Sequence, residues 1–243
     1  MMLAYGATHR GRKRENNEDA FHIEEPLSTA ILADGMGGEK CGEVGSAITV
    51  RAVTDYLSAP EAGLSLEEVV KEAIRAANRQ VIEAAKMRTE CDGMGSTIVM
   101  AVWDGPEVII ANVGDSRAYL HRGGELRQLS YDQNFANELR TKLGFSEDRV
   151  RNMPNRNVLT MAVGSFDHVL VRTHAERLEH GDRVLLCSDG LYGPVDDSTI
   201  SRILEDSANL QQAVEALVDC ANQKGGPDNV TAILLHYSDE GNG

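Results

Sequence analysis

No stretch of the 243 residues approaches the ~20 apolar residues that a membrane-spanning helix needs. The N-terminus meets charge by Arg10 and lacks the apolar core of a secretion signal. Basic residues are scarce: 24 Lys and Arg stand against 38 Asp and Glu, a net charge of −14. A nucleic-acid or anionic-membrane surface, which needs a basic stripe, is therefore not expected. The cysteines, Cys41, Cys91, Cys187 and Cys220, show no C-x-x-C spacing. Cys187 lies in the apolar run Val184-Leu185-Leu186-Cys187 and reads as a small buried thiol. Reduced thiols and a cytoplasmic protein are the expectation. None of the 7 histidines has H-x-x-x-H spacing, so surface positions or satisfied packing are expected for them. Gly38-Glu39-Lys40 has no Ser or Thr after the lysine and is not a nucleotide loop.

What is present suits a globular chain, with 42% hydrophobic and 26% charged residues. Without repeats or low-complexity linkers, one domain over residues 1–238 is expected, with a disordered tail at 239–243. Apolar residues at Val70, Ala73, Ile74, Ala77, Val81 and Ala84 have helical period, behind a Ser65/Glu68 capping box. A helix is expected near 43–57, and another carries Leu210, Ala213, Val214 and Leu217 behind an Asn209 cap. Segments 96–103 and 108–113 flank Asp104-Gly105-Pro106, and 117–121 and 125–129 flank Gly123-Gly124, two hairpin signals. Residues 31–33, 184–187 and 230–235 are short apolar strands. Hairpins between helices predict an α+β layering of antiparallel sheet under helices. The polar segment 131–156 is the candidate mobile flap.

Aspartates collect where the apolar strands end. Asp34 follows Ile31-Leu32-Ala33, Asp115 follows the run 108–114, Asp189 follows 184–188, and Asp228 precedes 229–235. Glu18 and Asp19 stand just before Ala20-Phe21. Any one of these is explained as a turn or cap residue, the role expected of Asp104 and Asp182. Gathered together, carboxylates repel and raise one another's pKa unless cations neutralise them. Such a hard oxygen site suits Mg²⁺ or Mn²⁺. The glycine after Asp34 lets a main-chain carbonyl approach the same ion. Arg14 lies just before Glu18 in a segment that is basic through Arg10, Arg12 and Lys13. Its guanidinium is a candidate grip for a phosphate.

Six motifs follow one another: Arg14-Glu15-Asn16-Asn17-Glu18-Asp19, Asp34-Gly35-Met36-Gly37-Gly38, Met94-Gly95-Ser96-Thr97, Val113-Gly114-Asp115-Ser116-Arg117, Ser188-Asp189-Gly190 and Gly226-Pro227-Asp228-Asn229-Val230-Thr231. In this order they resemble the metal-dependent protein phosphatases of type 2C in their compact bacterial form, over residues 6–237. The resemblance implies a four-layer αββα sandwich of two antiparallel β-sheets flanked by helices. It implies a metal-dependent serine/threonine phosphatase with two Mn²⁺ or Mg²⁺ ions and a third, weaker one. Asp34 would bridge the two ions, the Gly35 carbonyl would bind one, and Asp189 and Asp228 would hold the other. Asp115 and Asp189 would contribute to the third site, Glu18 and Asp19 would act through water, and Arg14 would bind the phosphate. A water or hydroxide between two ions ~3.5–4 Å apart would attack phosphorus directly, leaving Cys187 no nucleophilic role.

Some positions depart from that pattern. Met36 stands where many relatives carry a proton-donating histidine, and His9 stands where Asp is usual. Asp132-Gln133-Asn134 opens the flap in place of Asp-His-Ser, and Met161 replaces a frequent arginine. Phosphorylated proteins are the expected partners, with a eukaryotic-like Ser/Thr kinase opposed, no nucleic acid, no membrane and a monomeric state. Phosphatases of anti-sigma-factor antagonists and a non-catalytic phosphoprotein-binding module on the same fold are the alternatives.

Overall fold

The computed structural model describes residues 1–37, 41–87, 89–151 and 153–239. In chain order the strands are β1 (Met2–His9), β2 (Asp19–Glu24), β3 (Thr29–Met36), β4 (Gly95–Ser96), β5 (Ile98–Asp104), β6 (Glu107–Val113), β7 (Arg117–Arg122), β8 (Glu125–Gln128), β9 (Arg172–Arg177), β10 (Arg183–Cys187) and β11 (Val230–Tyr237). They form two antiparallel sheets, one ordered β1-β11-β10-β7-β8 and the other β2-β3-β5-β6-β9, with β4 paired to β3.

Strand alternation sets the layers, because successive side chains point to opposite faces. On β10, Val184 and Leu186 pack between the sheets, while Leu185 and Cys187 face the helices. On β3, Ala30 and Leu32 point into the same inter-sheet core, and Ile31 points outward beneath the other helices. Those outer layers are α1 (Gly42–Ser58) and α2 (Leu66–Lys86) on one side. On the other lie α5 (Asp189–Tyr192), α6 (Asp197–Asp206) and α7 (Leu210–Gln223), reached after α3 (Phe135–Leu143) and α4 (Glu147–Arg151). The αββα sandwich expected from the motifs is the observed architecture.

Local rules account for the helix boundaries. The Ser65 hydroxyl accepts from the Glu68 amide while the Glu68 carboxylate accepts from the Ser65 amide, closing the capping box of α2. Asn209 caps α7 and Asp196 caps α6 through their side chains. Both expected hairpins form, β5–β6 and β7–β8. Within the expected flap, the Asn134 side chain caps α3 and the Asn137 amide reaches the Asp132 carbonyl at 2.8 Å. Of the tail expected at 239–243, residues 240–243 lie outside the described residues, as do Gly38, Glu39 and Lys40.

Two expectations are corrected and a third, the turn role of Asp182, is extended. Cys41 and Cys91 form a disulfide with Cα atoms 5.5 Å apart, although 50 residues separate them; only Cys187 and Cys220 are free. The fold sets the start of α1 beside the turn at 89–91, a proximity that no spacing rule reveals. Asp182 is more than a turn residue: it is buried and takes a bidentate hydrogen bond from Arg122, whose Nε and Nη2 lie 2.9 and 2.5 Å from its oxygens. His121 and His236 are not satisfied packing, because His121 Nε2 and His236 Nδ1 are buried without a hydrogen-bond partner among the described residues. Their rings flank Arg183 in the register of β7, β10 and β11.

Candidate metal and phosphate site

The acidic strand ends meet at one end of the sandwich. β2 and β3 pair Asp19 directly with Asp34, a register that places both carboxyls on the same face of the ladder. The Asp34 backbone is pinned on both sides: Thr97 Oγ1 accepts from its amide at 3.0 Å, and the Thr97 amide donates to its carbonyl at 2.8 Å. The next residue must be glycine, since a Cβ at Gly35 would lie 1.9 Å from the Gly42 carbonyl oxygen. The Gly35 amide donates to the Glu18 carbonyl at 3.1 Å, which ties the Glu18 strand to the Asp34 turn.

The second sheet supplies the remaining acids. Asp189 opens α5 where β10 ends, and Asp228 stands before β11. The Asn229 amide donates to Asp228 Oδ1 at 2.8 Å, and Arg14 Nη2 donates to Asp228 Oδ2 at 2.7 Å. Asp115 is buried at the turn into β7. Its Oδ2 accepts from Asn134 Nδ2 at 3.1 Å, and its carbonyl accepts from the Tyr192 hydroxyl at 2.9 Å. The Arg117 guanidinium stacks on the Tyr192 ring at 3.7 Å and pairs with Asp132, so the start of the flap braces the Asp115 turn.

Arg14, Glu18, Asp34, Asp115, Asp189 and Asp228 all border one cleft of about 870 Å³, which also takes in Gly35 and Met36. The structure thus gathers every candidate except Asp19, which lies behind the floor. Asp19 Oδ2 accepts from Ser188 Oγ at 2.8 Å and from Thr231 Oγ1 at 2.6 Å, two hydroxyls from the opposite sheet. Its Oδ1 is buried with no partner among the described residues.

That orphan oxygen belongs to a group whose charges are unbalanced. Burial, then Asp19, Asp189, Asp115 and Asp228, pushes the Asp34 carboxyl well above the usual range. Burial, then Asp115, pushes Asp189 up to about 7. Burial pushes Asp115 up to about 6 against the Asn134 hydrogen bond, and Asp19 up to about 6 against its two hydroxyls. Glu18 is raised by burial and lowered by Arg14. Carboxylates so placed stabilise cations and are stabilised by them. No tight group of three His, Cys, Asp or Glu side chains forms among the described residues. Mg²⁺ keeps several waters and takes few protein ligands, so an open ring of carboxylates fits it.

Sequence inspection passed over the groups that hold these acids: Ser188, Thr231, Thr97, Asn134 and Asn229. Ser188, Thr231, Asn134 and Asn229 each stand within three residues of an acid, while Thr97 has none so near; a polar residue announces no partner until the strands pair.

A four-layer sandwich with a carboxylate-lined cleft beside an arginine suits a cation-dependent phosphate site. The sequence profile of the family described as protein phosphatase 2C matches residues 5–235. The chain is 36% identical over 240 residues to serine/threonine phosphatase stp of Listeria welshimeri, covering 96% of this chain and 95% of that protein. The crystal structure of the serine/threonine phosphatase PstP/Ppp of Mycobacterium tuberculosis superposes with a TM-score of 0.89 at 32% identity, covering 98% and 99% of the two chains. A structure of the PstP catalytic domain in complex with two manganese ions gives 0.86 at 31% identity, with 98% and 99% covered. The chain belongs to the protein phosphatase 2C family and is a metal-dependent serine/threonine protein phosphatase.

Proposed function

We propose that the chain removes phosphate from phosphoserine and phosphothreonine in proteins by direct attack of water at phosphorus, within one catalytic unit spanning residues 1–238. The observation that carries this reading is the gathering of Asp34, Asp115, Asp189 and Asp228 around one cleft bordered by Arg14, with Asp19 behind its floor. Asp34 and the Gly35 carbonyl would hold one Mn²⁺ or Mg²⁺ ion, Asp34 with Asp189 and Asp228 the other, and Asp115 with Asp189 a third. When bound, the ions lower the pKa of the attacking water and neutralise charge on the phosphoryl oxygens.

The chain's own groups do the rest. Arg14 offers a guanidinium to the phosphate, forming parallel hydrogen bonds as it turns from Asp228. Glu18 and the free Oδ1 of Asp19 accept from waters of the site and fix their orientation. Met36 borders the cleft and has no proton to give, so the leaving alkoxide takes its proton from solvent. Cys187 takes no part: it is fully buried, and burial pushes its thiol far above the usual range. A binding module without catalysis would have no use for this full set of acids.

We infer a monomer that opposes a eukaryotic-like Ser/Thr kinase, with phosphorylated proteins as its partners. No helix among the described residues is long and apolar enough to cross a membrane. A kinase that uses ATP favours the cytoplasm as the shared compartment, while the Cys41–Cys91 bond withdraws the support that reduced thiols lent to it.

The test is phosphate release from a phosphothreonine peptide with Mn²⁺ present, against a chelated control. Release that vanishes on chelation is expected. Equal release in both tubes, or none from folded protein, overturns the reading.

A further inference from the structure

Four of the chain's 24 basic residues fall within five consecutive positions, Arg10, Arg12, Lys13 and Arg14, in a molecule of net charge −14. Arg14 borders the cleft, and the catalytic reading leaves the other three without a task. Their placement is nonetheless specified closely. Gly11 has φ +78°, and a Cβ there would lie 2.1 Å from the Asp228 carbonyl oxygen, so only glycine lets the basic turn rest on the Asp228 loop. The Arg12 amide donates to the Gly226 carbonyl at 2.8 Å. Asn229 is buried and clamps both ends of the turn: its Nδ2 donates to the carbonyls of Arg10 at 2.9 Å and Asn16 at 2.8 Å, while its Oδ1 accepts from the Glu18 amide at 2.8 Å.

The turn is therefore a fixed lip beside the phosphate grip. Arg10 bends back to the Glu15 carbonyl. Arg12 and Lys13 are exposed, and neither side chain forms an ion pair or hydrogen bond with a described residue. The backbone contacts that weld the lip need no cation at either position. A chain with this acidic excess repels acidic partners at long range, and the cations of Arg12 and Lys13, unpaired among the described residues, counter that field locally. Arg12 and Lys13 lie outside the cleft lining but next to Arg14 in the chain, and an extended peptide rises ~3.3 Å per residue, so side chains a few residues from a phosphate gripped by Arg14 come within their reach.

We propose that Arg12 and Lys13 select phosphoprotein segments carrying an anionic group, a carboxylate or a second phosphate, within a few residues of the scissile phosphate. The proposal rests on the phosphatase reading and names the substrate class of that same cleft. The experiment compares four phosphothreonine peptides whose flanks carry aspartates, a second phosphate, serines or lysines, with native protein and the double variant Arg12→Ser/Lys13→Ser. Hydrolysis of a small aryl phosphate monitors the basal activity, which the variant leaves unchanged.

Native protein is expected to favour both anionic flanks over the serine flank by about three- to tenfold in kcat/KM, mainly through KM, as two exposed charge pairs allow. The preference shrinks in 0.5 M salt and disappears in the variant. A preference for only one anionic flank identifies the source of the charge. Equal rates on all four peptides overturn the proposal, and so does a preference that survives in the double variant. Binding of the same peptides with a non-hydrolysable phosphonate at the threonine, read by fluorescence anisotropy, is expected to give the same order of Kd. Loss of turnover with that order intact would overturn the catalytic reading and leave the selection standing.

Discussion

The two ends of the sandwich balance charge in opposite ways. At the end farther from the cleft, four acids have protein cations: Arg122 meets Asp182, Glu176 and Glu179, Arg127 meets Glu176, and Arg177 meets Glu107. At the cleft end, Asp34, Asp115, Asp189 and Asp228 border a cleft whose one guanidinium among the described residues, that of Arg14, pairs with Asp228. The same strands run between the two ends: β10 starts at Arg183 beside Asp182 and ends next to Asp189, and β7 runs from Arg117 to Arg122. One end is complete as folded. The other is short of positive charge among the described residues, the condition under which its acids would take up cations.

Removing the central acid should separate the two ends most sharply. Asp34→Asn is expected to lower turnover of a phosphothreonine peptide by about 10³-fold or more, the scale of losing a central electrostatic element of a phosphoryl-transfer site. Because the change relieves repulsion, Tm in chelator should hold or rise; a fall in Tm would mean that the carboxylate stabilises the fold.

The opposite end predicts the opposite sign. Arg122→Ala leaves Asp182 buried and unpaired and should cost about 3 kcal/mol in denaturant unfolding, with kcat unchanged. A cost below about 0.5 kcal/mol would place the pair with ordinary surface bridges.

Arg14→Ala tests the single guanidinium of the cleft and should raise KM by about tenfold, the worth of one charge-assisted contact, with a smaller change in kcat. An unchanged KM would move the phosphate grip elsewhere.

The smallest effect is the dependence on pH. Asp34, Asp19, Asp115 and Asp189 have carboxyls raised on folding, two of them to about 6 and one to about 7. The folded state therefore holds protons that the unfolded chain has released above about 4. Stability of the chelated protein should fall as pH rises from about 4 to 7, and saturating Mn²⁺ should restore more at pH 7 than at pH 5. Equal Mn²⁺ stabilisation at both values, read by thermal unfolding, would remove the carboxylate repulsion from the account.

What could be read in advance follows the same physics. Strands with strong apolar alternation and helices with capped stripes stood out, as in β10 and α2, because burial imposes a period on the sequence. Edge strands did not: β9 reads Arg172-Thr173-His174-Ala175-Glu176-Arg177 and is half exposed, and β1 carries only a weak apolar pattern. Helix α6 also escaped notice, since its buried face rests on Ile200 and Leu204 alone. The flap was legible as a polar segment but not as α3 and α4; the cap and clamp of α3 come from Asn134 and Asn137.

The sequence by itself determined the strand-end acids, the glycines that let main chain approach them, and the order of motifs that marks the family. Those are local properties, carried by residue type and spacing along a few residues. The tertiary structure alone decided that Asp19 faces Asp34 across a ladder, that Ser188 and Thr231 from the second sheet occupy one oxygen of Asp19 and leave the other bare, and that Cys41 reaches Cys91. Those are contacts between residues 15 to 212 positions apart. Spacing along the chain carries no record of such contacts until two sheets close on a common core.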